Sequence, residues 1–336
     1  MAKRAKSAAK ASAKKTPAKK AAAKAKILKP AASLKVAPGE LQTLLDLVRY
    51  GVSRFVEADV AFAHGTTDPV AEAAFLVCEA LHLHPDQFEM FAHARVTAQE
   101  AAKILALFDR RVTTRKPAAY LVNKIYMRGL PFYVDERTIV PRSFIGELLD
   151  SHLSGAMEEE GGSLIDNPGS ITRVLDLCTG SGCLAILASH SFPNATVDAV
   201  DISADALAVA ARNVEDYGLE DRVSLYQGDL FDAIGDERYD LIITNPPYVD
   251  AEGMAGLPRE CLHEPQIAFD GGDDGLDLVR RILDGARDHL TPDGGLLCEI
   301  GRGIDVLTDA YPNLPLLWLD TEDSEGEVFW VTAEAL

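Results

Sequence analysis

The sequence predicts an α/β protein in which helices cover both faces of a mostly parallel sheet, preceded by a small helical domain. Three observations carry this reading. Short apolar segments alternate with helical segments from residue 173 onward, the order that builds parallel sheets. Apolar residues recur at helical spacing through residues 39–112. The first strand runs into a glycine-containing turn and then a helix, a corner at which open α/β sheets bind ligands.

The chain begins with a different kind of sequence. Residues 1–38 are almost all Ala and Lys, with Arg4 and no acid before Glu40, whereas all 52 acidic side chains follow. The net charge of −19 is therefore the balance of a basic arm and a strongly acidic body. The arm has few bulky apolar residues beyond Ile27, Leu28 and Leu34, so it cannot bury a core and is expected to be disordered. Such an arm binds phosphate backbones without sequence preference, which makes rRNA contact one expectation and a solubilising tail the other. Its lone arginine argues against a mitochondrial presequence. The full 336 residues, 47% hydrophobic and 25% charged, leave room for about two domains, and no run of about 20 apolar residues predicts a membrane span. Five scattered cysteines, without a CxxC pair or a signal peptide, suggest a reduced, cytoplasmic protein.

Leu41, Leu44, Leu45, Val48, Val52 and Phe55 mark a first amphipathic helix. A second starts at Asp68-Pro69, an N-cap acid followed by proline at the first helical position. A third starts at the capping-box pattern Thr97-Ala98-Gln99-Glu100. Residues 39–118 thus form the predicted helical domain. The β-formers of residues 125–140, around Gly129, predict a hairpin within a linker of residues 119–141. Residues 142–336 form the predicted α/β domain, starting with a helix near 143–153 and a loop rich in Gly, Glu and Asn over 154–172. Strands are expected at 173–178, 196–200, 223–227, 240–244 and 295–300, with helices at 183–189, 204–216 and 275–290. An antiparallel hairpin of residues 316–319 and 328–332, turning at Asp323-Ser324-Glu325-Gly326, closes the sheet.

The turn Asp176-Leu177-Cys178-Thr179-Gly180-Ser181-Gly182 is the first candidate binding element. The next strand ends in Asp201, about 20 residues on, where an acid accepts from ribose hydroxyls. The third strand ends in Gly228-Asp229-Leu230, where a carboxylate can accept from an exocyclic adenine amine. The turn lacks the GxGxxG spacing of a pyrophosphate site, so a phosphate-free nucleoside such as S-adenosylmethionine fits better than NAD. Asp176 serves either the amine of that ligand or the turn itself.

The fourth strand ends in Asn245-Pro246-Pro247-Tyr248. A nitrogen bonded to a carbonyl or an aromatic ring has a delocalised lone pair and is a poor nucleophile. A site that methylates it must hold both N–H groups and present the nitrogen to the methyl group. Asn245 Oδ1 and the Pro246 carbonyl supply two acceptors on a loop stiffened by proline, and Tyr248 can pack on the flat face of the substrate group. Catalysis then rests on positioning and polarisation, without a strong general base.

Asp176 to Gly182 followed by Asn245 to Tyr248 resembles S-adenosylmethionine-dependent methyltransferases that modify exocyclic amines or glutamine amides. Pro117-Ala118-Ala119-Tyr120-Leu121, Gly129-Leu130-Pro131-Phe132-Tyr133-Val134, Val140-Pro141-Arg142, His263-Glu264-Pro265 and Asp274-Gly275-Leu276-Asp277 are similar to the protein glutamine methyltransferases of the HemK/PrmB type. The similarity covers the chain from about residue 39 onward. Residues 141–148 depart from the Pro-Arg-Pro-Glu-Thr-Glu stretch of the release-factor branch and look like the PrmB branch, which methylates ribosomal protein L-three. Phe144 stands where that branch often has proline, and Cys178 replaces the first glycine of the common turn.

The resemblance implies a Rossmann-like seven-stranded methyltransferase fold with a reversed last hairpin and a helical domain that helps choose the substrate. It implies that Asp176, Cys178, Thr179, Gly180, Ser181, Gly182, Asp201, Asp229, Leu230 and Asn245 hold S-adenosylmethionine. It also implies that Asn245, Pro246, Pro247 and Tyr248 hold the glutamine, with Arg142 and Glu264 around it, either as substrate contacts or as a structural ion pair. Release-factor methylation, adenine methylation and a non-catalytic role in ribosome assembly remain alternatives. The acidic body disfavours nucleic acid and favours a basic ribosomal protein, free or in assembly intermediates. His82, His84 and His93 match no familiar metal-ligand spacing, and Cys178 shows no histidine partner in sequence; no metal is expected.

Overall fold

A computed structural model describes Ala37 and residues 39–151, 164–165, 167–322 and 324–336, all within one compact unit spanning Ser33–Leu336. Except for Ala37, the basic arm lies outside the described residues, as do 152–153 of the predicted helix, 154–163 and 166 of the predicted loop, and Asp323 of the predicted hairpin turn.

Among the described residues, five α-helices come first: α1 (Leu44–Glu57), α2 (Pro69–Ala80), α3 (Phe88–Phe91), α4 (Ala98–Thr114) and α5 (Ala118–Val122). Each of the three long ones starts at a side-chain cap. Thr43 and Asp46 form a capping box that starts α1 at Leu44, three residues beyond the first apolar position at Leu41. Asp68 Oδ1 accepts from the Val70 and Ala71 amides, and Thr97 pairs with Glu100. Leu47, Phe55, Leu76, Ile104 and Phe108 are buried where α1, α2 and α4 meet. Phe55 and Phe108 pack edge to face with centroids 5.4 Å apart.

The hairpin is shorter than expected. Its strands are β1 (Ile125–Met127) and β2 (Leu130–Phe132), joined through Arg128 and Gly129, both at positive φ as a tight two-residue turn requires. The β-formers Tyr133, Val134, Thr138, Ile139 and Val140 pair with no strand, and side chains take main-chain groups there: Asn123 donates to the Val134 carbonyl, Tyr120 to the Thr138 carbonyl, and Val140 N donates to Glu264. Tyr133 N donates to Asn213 Oδ1, while Asn213 Nδ2 donates to the Tyr133 and Ser181 carbonyls.

The second half contains α6 (Ile145–Ser151), β3 (Arg173–Leu177), α7 (Cys183–Ser191), β4 (Thr196–Asp201), α8 (Ala204–Asp216), β5 (Val223–Gln227) and β6 (Tyr239–Thr244). It continues with α9 (Ala251–Gly256), α10 (Asp277–His289), β7 (Leu290–Glu299), α11 (Ile304–Ala310), β8 (Leu317–Leu319) and β9 (Val328–Thr332). The sheet order is β5-β4-β3-β6-β7-β9-β8, and β9 runs antiparallel to both neighbours. These are the seven strands and reversed hairpin that the resemblance implied. Central β3 and β6 are almost wholly buried, as parallel strands covered on both faces must be. Val174, Leu241, Ile243 and Leu297 face α6 and α7; Leu175, Leu177, Ile242 and Leu296 face α10. β7 starts five residues before the predicted Gly295, with a register shift opposite Tyr239 and Leu241. Helices α3, α5, α9 and α11 were not expected; each is too short to show helical periodicity in sequence. Among the described residues, no helix is long and apolar enough to cross a membrane.

Candidate functional site

Strand order reverses at β3, whose neighbours β4 and β6 lead off in opposite directions, so a crevice opens at the carboxyl ends of these strands. A cavity of about 310 Å³ occupies it. Cys178 and Gly180 of the first turn, Asp201, Asp229, Leu230, and Asn245 with Pro247 all contribute to its wall. Ile139, Pro265, Ile267 and Arg281 come from segments the sequence reading did not place there.

The β3 turn is tightly wound: Cys178, Gly180 and Gly182 all have positive φ. A Cβ on Gly182 would lie 3.1 Å from Ala210 Cβ, so this glycine lets the turn pack against α8. The turn's amides are used internally. Thr179 N donates to the Val200 carbonyl, Gly182 N to the Thr179 carbonyl, and Gly180 N to Asp201 Oδ2 at 2.8 Å. Asp201 Oδ1 accepts from Ser203 N, and burial holds its carboxyl above the ordinary aspartate value.

Several expected cofactor residues sit behind the turn. Asp176 is fully buried, accepts the Thr179 hydroxyl at 2.5 Å, and is pushed up to about 7 by burial. It serves the turn and does not line the cavity. Thr179, Ser181 and Gly182 likewise shape the turn from within: the Ser181 carbonyl accepts from Asn213 and its hydroxyl touches Cys183 Sγ. Asp229 reaches the wall, where its carboxylate pairs with Arg281 at 2.9 Å. Burial raises the Cys178 thiol far above its ordinary value, which leaves no thiolate for nucleophilic chemistry.

Asn245 follows directly on β6, and its Nδ2 donates to the Arg142 carbonyl at 3.0 Å. The loop behind it is zipped to residues 269–271: Val249 N donates to the Phe269 carbonyl and Gly271 N to the Val249 carbonyl. A Cβ on Gly271 would lie 2.6 Å from the Gly275 carbonyl oxygen and 2.7 Å from Tyr248 Cα, so only glycine permits this approach. Pro246 and Tyr248 stand outside the cavity wall. Tyr248 packs its ring on Gly301 and donates to Glu299 Oε1 at 3.3 Å.

Glu299 was not singled out in the sequence. It is buried at the end of β7 and also accepts from Ser143 Oγ and Phe144 N, while burial pushes it up to about 7. Its signal was an acid ending an apolar strand at the same sheet edge as Asp201. Arg142 and Glu264 form an ion pair with each other at 3.4 Å. Burial raises the Glu264 carboxyl, but His64 and the Arg142 charge outweigh it and hold the group below the ordinary glutamate value. His64 Nε2 lies 2.9 Å from Glu264 Oε2 and 3.4 Å from Cys261 Sγ. Those three residues are the one metal-capable group among the described residues, whereas His84 accepts from Asp86 N at a turn.

A family model for the methyltransferase small domain matches residues 163–257, and one for the PrmC N-terminal domain matches residues 46–122. The chain is 75% identical over 302 residues to a ribosomal protein uL3 glutamine methyltransferase of Bradyrhizobium diazoefficiens, covering 90% of this chain and 94% of that one. It is 51% identical over 297 residues to the Bordetella pertussis protein of the same name, covering 88% and 97%. Among solved structures, a ribosomal protein L11 methylase from Lactobacillus delbrueckii aligns with TM-score 0.35 at 20% identity, over 56% of this chain and 78% of that one.

Proposed function

The chain belongs to the family of ribosomal protein uL3 glutamine methyltransferases, and from that premise we propose which residues carry the reaction. The cavity at the ends of β3, β4 and β5 holds S-adenosylmethionine, and Asn245 with the Pro246 carbonyl holds the side-chain amide of a uL3 glutamine. The cofactor, when bound, supplies an electrophilic methyl group on a sulfonium.

The residues present suit a cationic, phosphate-free nucleoside. The Thr179, Gly180 and Gly182 amides already donate to the Val200 carbonyl, Asp201 and the Thr179 carbonyl, so these three are not offered to a pyrophosphate. The wall instead carries the carboxylates Asp201, Asp229 and Asp270. Asp201 keeps lone pairs for ribose hydroxyls beyond the two amides it accepts, since a carboxylate has about four acceptor positions. Asp229 stands where an adenine amine would reach it, with Arg281 holding its carboxylate in place.

The bond from Asn245 Nδ2 to the Arg142 carbonyl is the observation that carries the reading. It fixes the amide orientation, so Oδ1 becomes the acceptor for a substrate N–H. A second acceptor at the Pro246 carbonyl holds the other N–H and keeps the glutamine nitrogen facing the methyl group. Accepting both hydrogens would raise the electron density on nitrogen; as the nitrogen–methyl bond formed, the methyl–sulfur bond would break to leave a neutral thioether, and the extra proton on nitrogen would pass to solvent. Tyr248, seated on Gly301 and tied to Glu299, backs the loop that presents these acceptors.

An assay with methyl-labelled cofactor, offering uL3, a release factor and DNA side by side, tests the substrate class. Label on a uL3 glutamine is expected; label on the release factor would move the substrate, and label on DNA would overturn the reading. The acidic body favours free uL3 in the cytoplasm over rRNA-covered surfaces, and the basic residues 1–35 are the segment suited to touch rRNA. Deleting them is expected to flatten the salt dependence of ribosome association; an unchanged slope contradicts that contact.

A further inference from the structure

We infer that the helical domain positions the catalytic amide: His64, through Glu264 and the 140–142 segment, holds Asn245 in register. This inference rests on the role assigned to Asn245 above.

The helical domain grips one turn of the methyltransferase half, residues 259–264, at several points. Glu260 Oε1 accepts from Ala61 N at 3.2 Å and from Arg115 at 3.1 Å, and the buried Arg111 lies 3.6 Å away. Arg111 is itself held by Glu72 at 2.7 Å and donates to the Ala61 carbonyl. His263 Nε2 contacts the Thr114 carbonyl at 2.9 Å. His64 closes the set with its 2.9 Å contact to Glu264, where both side chains are fully buried.

Glu264 passes this grip toward the catalytic loop. Its Oε1 accepts from Val140 N at 2.9 Å and meets the Arg142 guanidinium at 3.4 Å, one residue on either side of Pro141. The Arg142 carbonyl is the acceptor that orients Asn245. The linkage from His64 to the catalytic amide therefore runs through two side chains and one proline-stiffened stretch of backbone. The backbone around His64 is held as tightly. Gly65 has φ of 85°, and a Cβ there would lie 2.4 Å from Ile125 Cδ1, so the loop before α2 is seated on the hairpin. Burying a carboxylate is costly unless charged or hydrogen-bonded partners surround it, and Glu264 has the His64 ring at Oε2 and the Arg142 guanidinium and Val140 amide at Oε1.

Methyl transfer to uL3 is measured with full-length wild type, His64→Ala and His64→Gln. Rates are expressed per cofactor-binding site, so that loss of folded protein does not count as loss of turnover. The expected result is a fall in kcat of at least tenfold for His64→Ala, with KM for uL3 and Kd for the cofactor within about twofold of wild type. His64→Gln, which keeps an N–H of similar reach, restores most of the rate. An unchanged kcat, or a raised KM at unchanged kcat, overturns the inference, because the domain then serves only docking. If His64→Ala does not fold, His64→Asn, too short to reach Oε2, replaces it with the same two outcomes. Wild type that labels no glutamine overturns the assigned reaction and this inference together; a glutamine-labelling wild type matched by His64→Ala overturns the inference alone.

Discussion

Asn245 Nδ2 donates to the Arg142 carbonyl across 103 positions of sequence, at 3.0 Å. Because a side-chain amide has one donating and one accepting end, committing the donor to Arg142 leaves Oδ1 as the acceptor, which the proposed reading gives to the substrate. Asn245→Ala removes that acceptor while leaving the cavity wall otherwise intact. Turnover is expected to fall by about 10²–10³, the range for losing one positioned polar group at a reacting centre, with cofactor Kd within a few-fold. Calorimetry beside single-turnover rates separates the two effects.

Asp201→Ala is expected to act on binding instead. Its two carboxylate oxygens hold the Gly180 and Ser203 amides, so the variant loses the bonds that shape the turn together with the proposed ribose acceptor. Cofactor Kd should rise by at least tenfold in calorimetry, and an unchanged Kd contradicts the assignment.

Gly271→Ala pushes a methyl group into backbone at 2.6 and 2.7 Å, from Gly275 and Tyr248. Neither neighbour is a flexible side-chain end, so the Asn245 to Tyr248 loop must shift. A drop in kcat together with a lower Tm is expected; wild-type values for both would contradict the close approach.

Glu299 makes stability depend on pH. Its carboxyl sits at about 7 in the folded protein, above the ordinary glutamate value, because burial disfavours its charged form. A raised folded value means that its contribution is full below the unfolded value near 4.5 and is lost as pH rises through about 7. The Tm of wild type should therefore fall more between about pH 5 and 8 than that of Glu299→Gln. Asp176 also titrates near 7 but is common to both proteins, so it cancels in the comparison. Parallel profiles would contradict the assignment.

In the helical domain, Phe108→Ala is expected to destabilise by about 3–5 kcal/mol, since the ring is buried against Phe55 and little can move to fill the space. Denaturant unfolding measures it, and a loss below about 1 kcal/mol contradicts the packing.

What the sequence made legible is what local rules govern. Asp68-Pro69 and Thr97-Glu100 announced the starts of α2 and α4, and apolar runs gave the central strands almost to the residue. That Asp201 and Asn245 line the crevice was legible because strand ends at a switch point form its wall. The residues missed depend on tertiary geometry. The β-formers after Phe132 were read as hairpin because nothing local reveals that distant side chains take main-chain groups there, Asn213 those of Tyr133 from 80 positions away and Glu264 the Val140 amide. Likewise, His64 and Glu264 lie 200 positions apart, and neither neighbourhood hints at a 2.9 Å contact. Asp176 was read as serving either the cofactor's amine or the turn, and its carboxylate accepts from the Thr179 hydroxyl of the turn.

The most direct measurement is peptide mapping by mass spectrometry of uL3 after incubation with S-adenosylmethionine and either wild type or Asn245→Ala at equal cofactor occupancy. The account predicts a single methyl group on one glutamine side chain with wild type, and at least a hundredfold less of the same product with the variant. Methylation at another residue type, or equal glutamine methylation by both proteins, would contradict it.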